Sequence, residues 1–424
     1  GANSVFDLDK WEEIWLTMRQ HKLRTALTAF GVFWGIFMLV ILLGAGNGLR
    51  NGAMQNFDIA RNAVFVWTEE TTVPYEGFDA GRAIQLDNED LPALRQLDEV
   101  DVIAPRLQVG NLFSNQALPI VRGENSVAFS IMGDAPEFLD IKPYILERGR
   151  FLNEIDMQRG RKVAVIGTRV RDELFDAEES AVGDYVRIGG VPFLVVGVFD
   201  TRVMGEQAIN ELQTVHIPLT TAQRTFNLGN SISWFGFIPA AGATATETED
   251  AVKEVFRTRH HISPDDRQAL QSFNVEREFR KMQGVFSGIA GFSWFVAVGT
   301  IIAGRVGVAN IMMIIVRERT REIGIRKSVG AKPFSIIGMI VLEALVISGV
   351  AGYLGLVSGV FLIEGVALVM EQAGAQSDFF ANPEIDFGVA VSAIAVLVFS
   401  GALAGFFPGL MAARVNPVLA LRDE

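Results

Sequence analysis

Six cations and two anions stand within sixteen residues of this chain: Arg317, Arg319, Arg321, Arg326, Lys327 and Lys332 against Glu318 and Glu322. No nucleophile–base pair and no metal-ligand spacing accompanies them. The chemistry open to them is therefore recognition, through charge-assisted hydrogen bonds to a partner surface. Ile323 and Ile325 interrupt the charges, and Gly324 separates the two. A short helix built from this run offers apolar contacts rimmed by arginine. Gly330 suits its stop, and Pro333 suits the first turn of a following helix. Two readings stand at this point: a basic turn that only sets membrane orientation, or a seat for a soluble partner.

Other chemistry is thinly supported. Cysteine is absent, which removes disulfides, thiolate metal sites and a Cys nucleophile. No G-x-x-x-x-G-K-[ST] string occurs to cradle a nucleotide phosphate. Gly44-Ala-Gly-Asn-Gly48 lacks the Lys-Ser/Thr that would follow, and reads as a flexible exit from a membrane helix. If ATP drives this protein, the ATPase is a separate chain. Adjacent His260 and His261 point different ways, and His216 lies in a strand-like stretch, so no metal site is expected. No Ser/His/Asp arrangement or carboxylate pair has a motif around it, and the chain is read as no enzyme by itself, with no cofactor of its own. The formal charge of −12, from 37 Lys+Arg and 49 Asp+Glu, argues against nucleic-acid binding.

The elements that hold the basic run are apolar. Four stretches reach the roughly 20 residues a bilayer crossing needs: 25–46, 284–316, 333–370 and 387–413. The first is too long for a signal peptide and reads as a retained anchor. Arg19, Lys22 and Arg24 precede it, the basic run 317–332 joins the second and third, and Arg414 and Arg422 follow the fourth. The loop 371–386 carries Glu371, Asp378, Glu384 and Asp386 without Lys or Arg. Lys/Arg placement in short loops sets orientation. The expected topology puts 1–24, 317–332 and the tail 414–424 in the cytoplasm, and 47–283 and 371–386 outside. Leu8, Trp11, Trp15 and Met18 recur at helical spacing, which predicts an amphipathic helix in the inner interface, either a plain elbow or a partner contact.

Two further features lie within the spans. Arg305 is about 18 Å above Arg317 on a helix, near mid-membrane, where a charge is normally paired. Glu343 on the third span is its candidate partner, either as a structural pair or as an element coupling the two helices. Gly284, Gly288 and Gly291 on the second span, and Gly349, Gly352, Gly355 and Gly359 on the third, allow close helix approach, within the chain or across a dimer seam.

Residues 47–283 read as an α+β domain, with two subdomains expected. Strands are expected at 63–68, 162–167, 185–188 and 192–198, the last two joined at Gly189-Gly190. Helices are expected at 169–175 and 247–259, and a further helical run at 264–280 leads into the second span.

The basic run, as ERTREIGIRKSVGA, is similar to that of the MacB/FtsX-like permease family of ABC transporters. KLRTALTAFGVFWGIF, VANIMMIIVRER, Glu343-Ala344 and FPGLMAARVNPVLALR resemble its four membrane helices. GRFLNEIDMQRGRKVAVIGTRV and VGDYVRIGGVPFLVVGVF resemble the MacB-like external domain. The resemblance implies a four-helix permease of the inner membrane with a periplasmic domain between helices one and two. It implies that residues 317–332 sit on a cytoplasmic ABC ATPase, which would hold ATP and Mg. It further implies a second permease copy or a paralogue, and an adaptor or outer-membrane channel in the periplasm for an exporter. The function expected is export of a peptide, drug or lipid-linked substrate. The alternatives are an FtsX-like signal relay to a periplasmic partner and a lipoprotein-releasing permease.

Overall fold

The computed structural model describes residues 22–55, 59–110, 118–176, 179–203, 205–372 and 387–414. They fall into two units, residues 53–284 and the remainder. The elements expected from Trp11 and Trp15, the outer loop from residue 373, and the tail from residue 415 lie outside the described residues.

Helix α1 (Lys22–Gln55) opens the chain. The strands that follow are β1 (Val64–Thr68), β2 (Leu86–Asp87), β3 (Val100–Val109), β4 (Ile120–Arg122), β5 (Asn125–Val127), β6 (Ser130–Asp134), β7 (Ile145–Gly149), β8 (Val163–Gly167), β9 (Tyr185–Ile188), β10 (Val191–Asp200), β11 (Thr214–Pro218), β12 (Ser231–Ile232), β13 (Trp234–Pro239) and β14 (Leu270–Asn274). Among and after them come helices α2 (Phe138–Ile141), α3 (Thr168–Leu174), α4 (Gly205–Leu212), α5 (Leu219–Thr225) and α6 (Ala245–His260). The chain then continues through α7 (Val275–Glu318), α8 (Thr320–Ser328), α9 (Pro333–Gln372) and α10 (Phe387–Ala413).

Residues 53–284 form an α/β unit on one mixed sheet. Its strand order is β14-β1-β13-β3-β6-β11-β8-β10-β9-β4-β5, with β7 added to β10. The β8–β10 and β6–β11 pairs are parallel and the others antiparallel. Residues 53–284 are one compact unit, and its two larger apolar clusters lie along this single sheet. One gathers Val64, Val66, Phe235 and Phe237 under Val252 and Phe256 of α6. The other gathers Ile131, Ile166, Val195 and Ile217 with Val170 of α3 and Ala222 of α5.

Local chemistry fixes several joints. Gly189 and Gly190 hold φ of +55° and +87°, and Ile188 pairs with Val191, the geometry a two-residue hairpin with right-handed strand twist needs. At the start of α6, the Thr244 hydroxyl accepts from the Glu247 N–H while the Glu247 carboxylate accepts from the Thr244 N–H. The expected strands and helices of this unit are all present within a few residues, apart from the run 264–280. It is not one helix: Leu270–Asn274 is the edge strand β14, in register with Val64–Thr68 of β1, and the helix starts at Val275. The open edge of β1 supplied the backbone partners that local polarity did not reveal.

In the other unit, the described residues include four helices long and apolar enough to cross a membrane, drawn from α1, α7, α9 and α10. Glycine sets their spacing. A Cβ on Gly359 of α9 would stand 2.7 Å from Val40 Cγ1 of α1, and one on Gly405 of α10 would stand 2.8 Å from the Ala344 Cβ of α9. Gly355 and Gly359 thus serve packing inside the chain. Around Gly284, Gly288 and Gly291 nothing lies within 4 Å. Gly44 is also a packing residue: α1 continues unbroken to Gln55, and a Cβ at Gly44 would meet Ile363 Cδ1 at 3.0 Å. The flexible exit expected at Gly44–Gly48 is therefore a helical turn, in which Ile363 occupies the side-chain space of Gly44.

Candidate functional site

The basic run folds as the expected short helix. α7 ends at Glu318, Arg319 leaves helical geometry at φ −96° and ψ 12°, and α8 begins at Thr320. The Thr320 hydroxyl donates to the carbonyls of Val316 at 3.0 Å and Arg317 at 2.8 Å, closing the last turn of α7. Gly330 adopts φ +102°, its N–H donates to the Lys327 carbonyl at 3.0 Å, and α9 starts at Pro333. The stop at Gly330 and start at Pro333 agree with the expectation from residue type.

The two faces of α8 differ. Ile323 and Gly324 are buried, and Ile323 packs in a cluster with Met312, Ile315, Val316, Ile336 and Ile340. Polar ties reinforce this inner face. Lys327 Nζ donates to the Ala413 carbonyl at 2.8 Å, and Arg326 reaches Glu322 at 2.7 Å and Met339 Sδ at 2.8 Å. Arg319 donates from Nε to Glu322 at 3.0 Å and stands 3.8 Å from Glu343, which is 3% exposed. The outer face carries Arg317, Glu318, Arg321, Ile325, Val329 and Lys332 in solvent, with Phe334 beside them. Val329 and Phe334 are 83% and 85% exposed. Ile323 and Ile325 therefore do not act as a pair. Two residues apart on a helix is about 200° of rotation, so one is in the core while the other faces out.

The outward side presents an apolar knob of Ile325 and Val329 among arginines and lysines, with Phe334 exposed at the start of α9, and the inner side is held by ion pairs. The arrangement has the makings of a protein contact: apolar centre, charged rim, rigid support.

Residues 25–255 match the family described as MacB-like periplasmic core domain, and residues 294–417 match the FtsX-like permease C-terminal family. The chain belongs to the MacB/FtsX-like permease family. It is 30% identical to the pyoverdine export ATP-binding/permease protein PvdT of Pseudomonas entomophila, over 98% of this chain and 60% of that protein. It is 30% identical to the macrolide export ATP-binding/permease protein MacB of Rhodospirillum rubrum, over 96% of this chain and 59% of that protein. The chain thus spans about three fifths of the length of these curated relatives. Among solved structures it resembles the periplasmic region of MacB from Actinobacillus actinomycetemcomitans, at 18% identity and a TM-score of 0.43, over 53% of this chain and 94% of that one.

In this MacB/FtsX-like permease, the residues expected at the site fall into two groups. Ile323, Gly324, Arg326, Lys327, Arg319 and Glu322 build its support, while Arg317, Glu318, Arg321, Ile325, Gly330 and Lys332 form its surface. Val329 and Phe334 were not singled out from sequence. The available signal was a bulky apolar residue on each side of the Gly330–Pro333 break, outside the charged run. The cation described beside Glu343 is Arg319. Arg305 lies fourteen residues earlier in the chain, on α7, and its side chain lies outside the described residues.

The α/β unit holds a second polar cluster. Arg106 donates to both oxygens of Asp134, at 2.5 and 3.1 Å, and His216 Nδ1 bonds the same carboxylate. The rings of Tyr144, Phe151 and Phe199 surround the His216 ring at 5.0–5.5 Å. Burial opposes the charge on Asp134, but the Arg106 guanidinium and the His216 hydrogen bond overcome it and hold the pKa at about 2. Burial pushes His216 down. No solvent reaches His216, which fits the structural role expected for it. His260 bonds Asp90 at 3.0 Å, and His261 bonds Glu76 at 2.5 Å, so the adjacent pair do diverge.

Proposed function

We propose that this chain is the permease part of an ABC exporter, with α8 as the seat of the ATPase. The observation that carries this is the two-faced α8. An exposed knob of Ile325 and Val329 stands at the outer side and end of a helix clamped to α9 by Ile323 and to α10 by Lys327, with Phe334 exposed in the first turn of α9. A push on the knob is then a push on the membrane helices, because the clamps are short. Nothing in these 424 residues can cradle a nucleotide phosphate in a P-loop, so ATP and Mg belong to an ATPase outside them.

The permease sits in the inner membrane, with α8 and both chain ends on the cytoplasmic side and residues 47–283 in the periplasm. The Lys/Arg distribution supports this. It works with a second permease copy or a paralogue. The support is α7, the least covered of the four spans, with Phe292 and Phe295 exposed beside glycines that meet no neighbour. Export of a peptide, drug or lipid-linked molecule, handed to a periplasmic adaptor and outer-membrane channel, is in keeping with the export proteins it resembles.

The test is co-expression with the ABC ATPase encoded nearest to it. Phe334→Asp, Ile325→Asp and the reversed charges Glu322→Lys and Arg326→Glu should each abolish co-purification or uncouple the ATPase rate from the permease. Unchanged assembly and unchanged ATPase rate in all four would remove α8 from the mechanism.

A further inference from the structure

One face of the sheet is covered unevenly. Phe138 and Ile141 of α2, with Tyr144 and Phe151, cover its middle, from β13 to β10. Over β14, β1 and β13 the same face carries Phe273, Phe65, Trp67 and Trp234, and these four residues alone line an open recess of about 390 Å³. The register places them together. Phe65 is directly opposite Phe273, and Trp67 directly opposite Trp234. Such cross-strand aromatic pairs normally meet, because ring–ring contact stabilises them. Here no ring contact joins any two of the four among the described residues. The rings stand around a space instead of closing on each other.

The space has small-molecule dimensions. From β14 to β13 is two strand spacings, about 10 Å, and from Phe65 to Trp67 is one side-chain repeat, about 7 Å. Its volume lies in the range of ligand pockets. A protein partner would need roughly ten times that footprint, about 800 Å² per side. The recess is bounded on the α2 side at Gly236, where a Cβ would meet Ile141 Cδ1 at 2.7 Å and the Phe65 ring at 3.2 Å. It is electrostatically neutral. The charge nearest to it in register is Arg106, opposite Trp234 with its guanidinium 5.6 Å from that ring, and Arg106 is matched by both oxygens of Asp134. A charged group entering here would lose water without gaining a partner.

We propose that Phe65, Trp67, Trp234 and Phe273 form a binding site for an uncharged, ring-bearing small molecule. The proposal deepens the export reading and rests on it for the role of that molecule as cargo. Its test needs no ATPase, so a failed recess and a failed coupling helix are told apart. The full chain is placed in lipid nanodiscs and titrated with N-phenyl-1-naphthylamine, an uncharged two-ring probe, reading energy transfer from tryptophan above empty nanodiscs. Saturable transfer is expected, weakened at least tenfold in affinity by Phe273→Ala and unchanged by Trp34→Phe. Phe273 is 38% exposed, so its removal leaves the fold intact, which far-ultraviolet circular dichroism checks. The anionic relative 1-anilinonaphthalene-8-sulfonate should bind at least tenfold more weakly. Non-saturating transfer that is equal in wild type and Phe273→Ala overturns the site, and equal affinity for the anion overturns its ligand class. The chain has no cysteine, so Phe273→Cys supplies a unique thiol. Efficient disulfide linkage of two copies through it would mean that a second chain covers the recess, and would also overturn the proposal.

Discussion

Lys327 donates from Nζ to the carbonyl oxygen of Ala413 at 2.8 Å, tying α8 to the last residue of α10. The two residues are 86 apart in sequence. The tie satisfies a helix-end carbonyl that has no partner within its own helix. It also gives α8 a direct grip on the fourth candidate membrane span.

Loss of that grip should uncouple rather than unfold. A hydrogen bond to a charged group contributes about 1–3 kcal/mol, and this one is partly exposed. Lys327→Gln is expected to keep co-purification with the ATPase while lowering stimulated ATP hydrolysis several-fold. A variant with wild-type stimulation would show that the tie carries no force.

Arg319 shares its charge between Glu322 and the buried Glu343. Removing one partner of a buried pair costs up to about 3–5 kcal/mol, less where the other keeps a second partner. A double-mutant cycle on thermal stability should give about 1–2 kcal/mol of coupling between Arg319→Gln and Glu343→Gln. The cycle between Arg305→Gln and Glu343→Gln tests the pairing expected from the sequence, and a coupling larger than that to Arg319 would make Arg305 the main partner.

Acid should loosen the α/β unit in two steps. Burial holds His216 below its ordinary 6.5, so the folded state prefers the neutral ring while the unfolded chain takes a proton near that pH. Stability therefore falls as pH drops below 6.5. Asp134 sits at about 2 against an ordinary 3.8, so its contribution is full above 3.8 and is lost between about 4 and 2. Protection factors of the β11 amides, exchange rates divided by the intrinsic rate at each pH, should fall between pH 7.5 and 5 in wild type. His216→Gln should flatten that dependence, and an unchanged slope would refute it.

Glu249 is the anchor of the strand that leads into α7. Its carboxylate, 3% exposed, accepts from Lys253 at 2.8 Å, Ser272 at 2.5 Å, Asn274 at 3.0 Å and Arg277 at 3.0 Å. Burial alone would raise its pKa, but these donors hold it at about 2. Glu249→Gln should cost about 3 kcal/mol and speed hydrogen exchange in β14 and the first turn of α7. Glu254→Gln, on the exposed face of the same helix, should leave both unchanged.

The apolar span of α10, the stop at Gly330 and start at Pro333, and the Gly189-Gly190 hairpin were legible because each rests on a local rule: uninterrupted apolar length, a left-handed backbone position, a fixed proline φ. The charged run declared itself as a short cationic helix for the same reason, since charge density is a property of the chain. Which of its residues face out was not legible from type alone. Ile323 and Ile325 are chemically alike, and only packing against Ile336 and Ile340 buries the first and leaves the second free.

Long-range pairing decided the rest. β14 is an edge strand because β1 offers unpaired backbone groups 200 residues earlier, and no window of sequence contains both. Gly44 of α1 is a packing position because Ile363, more than 300 residues away, stands against it. The four aromatics of the recess are scattered from Phe65 to Phe273, and only the sheet register brings them to one face. Composition and periodicity report on neighbours within a few turns or strand repeats. Contacts that close loops of a hundred residues or more are set by how whole surfaces fit, and only the folded chain displays them.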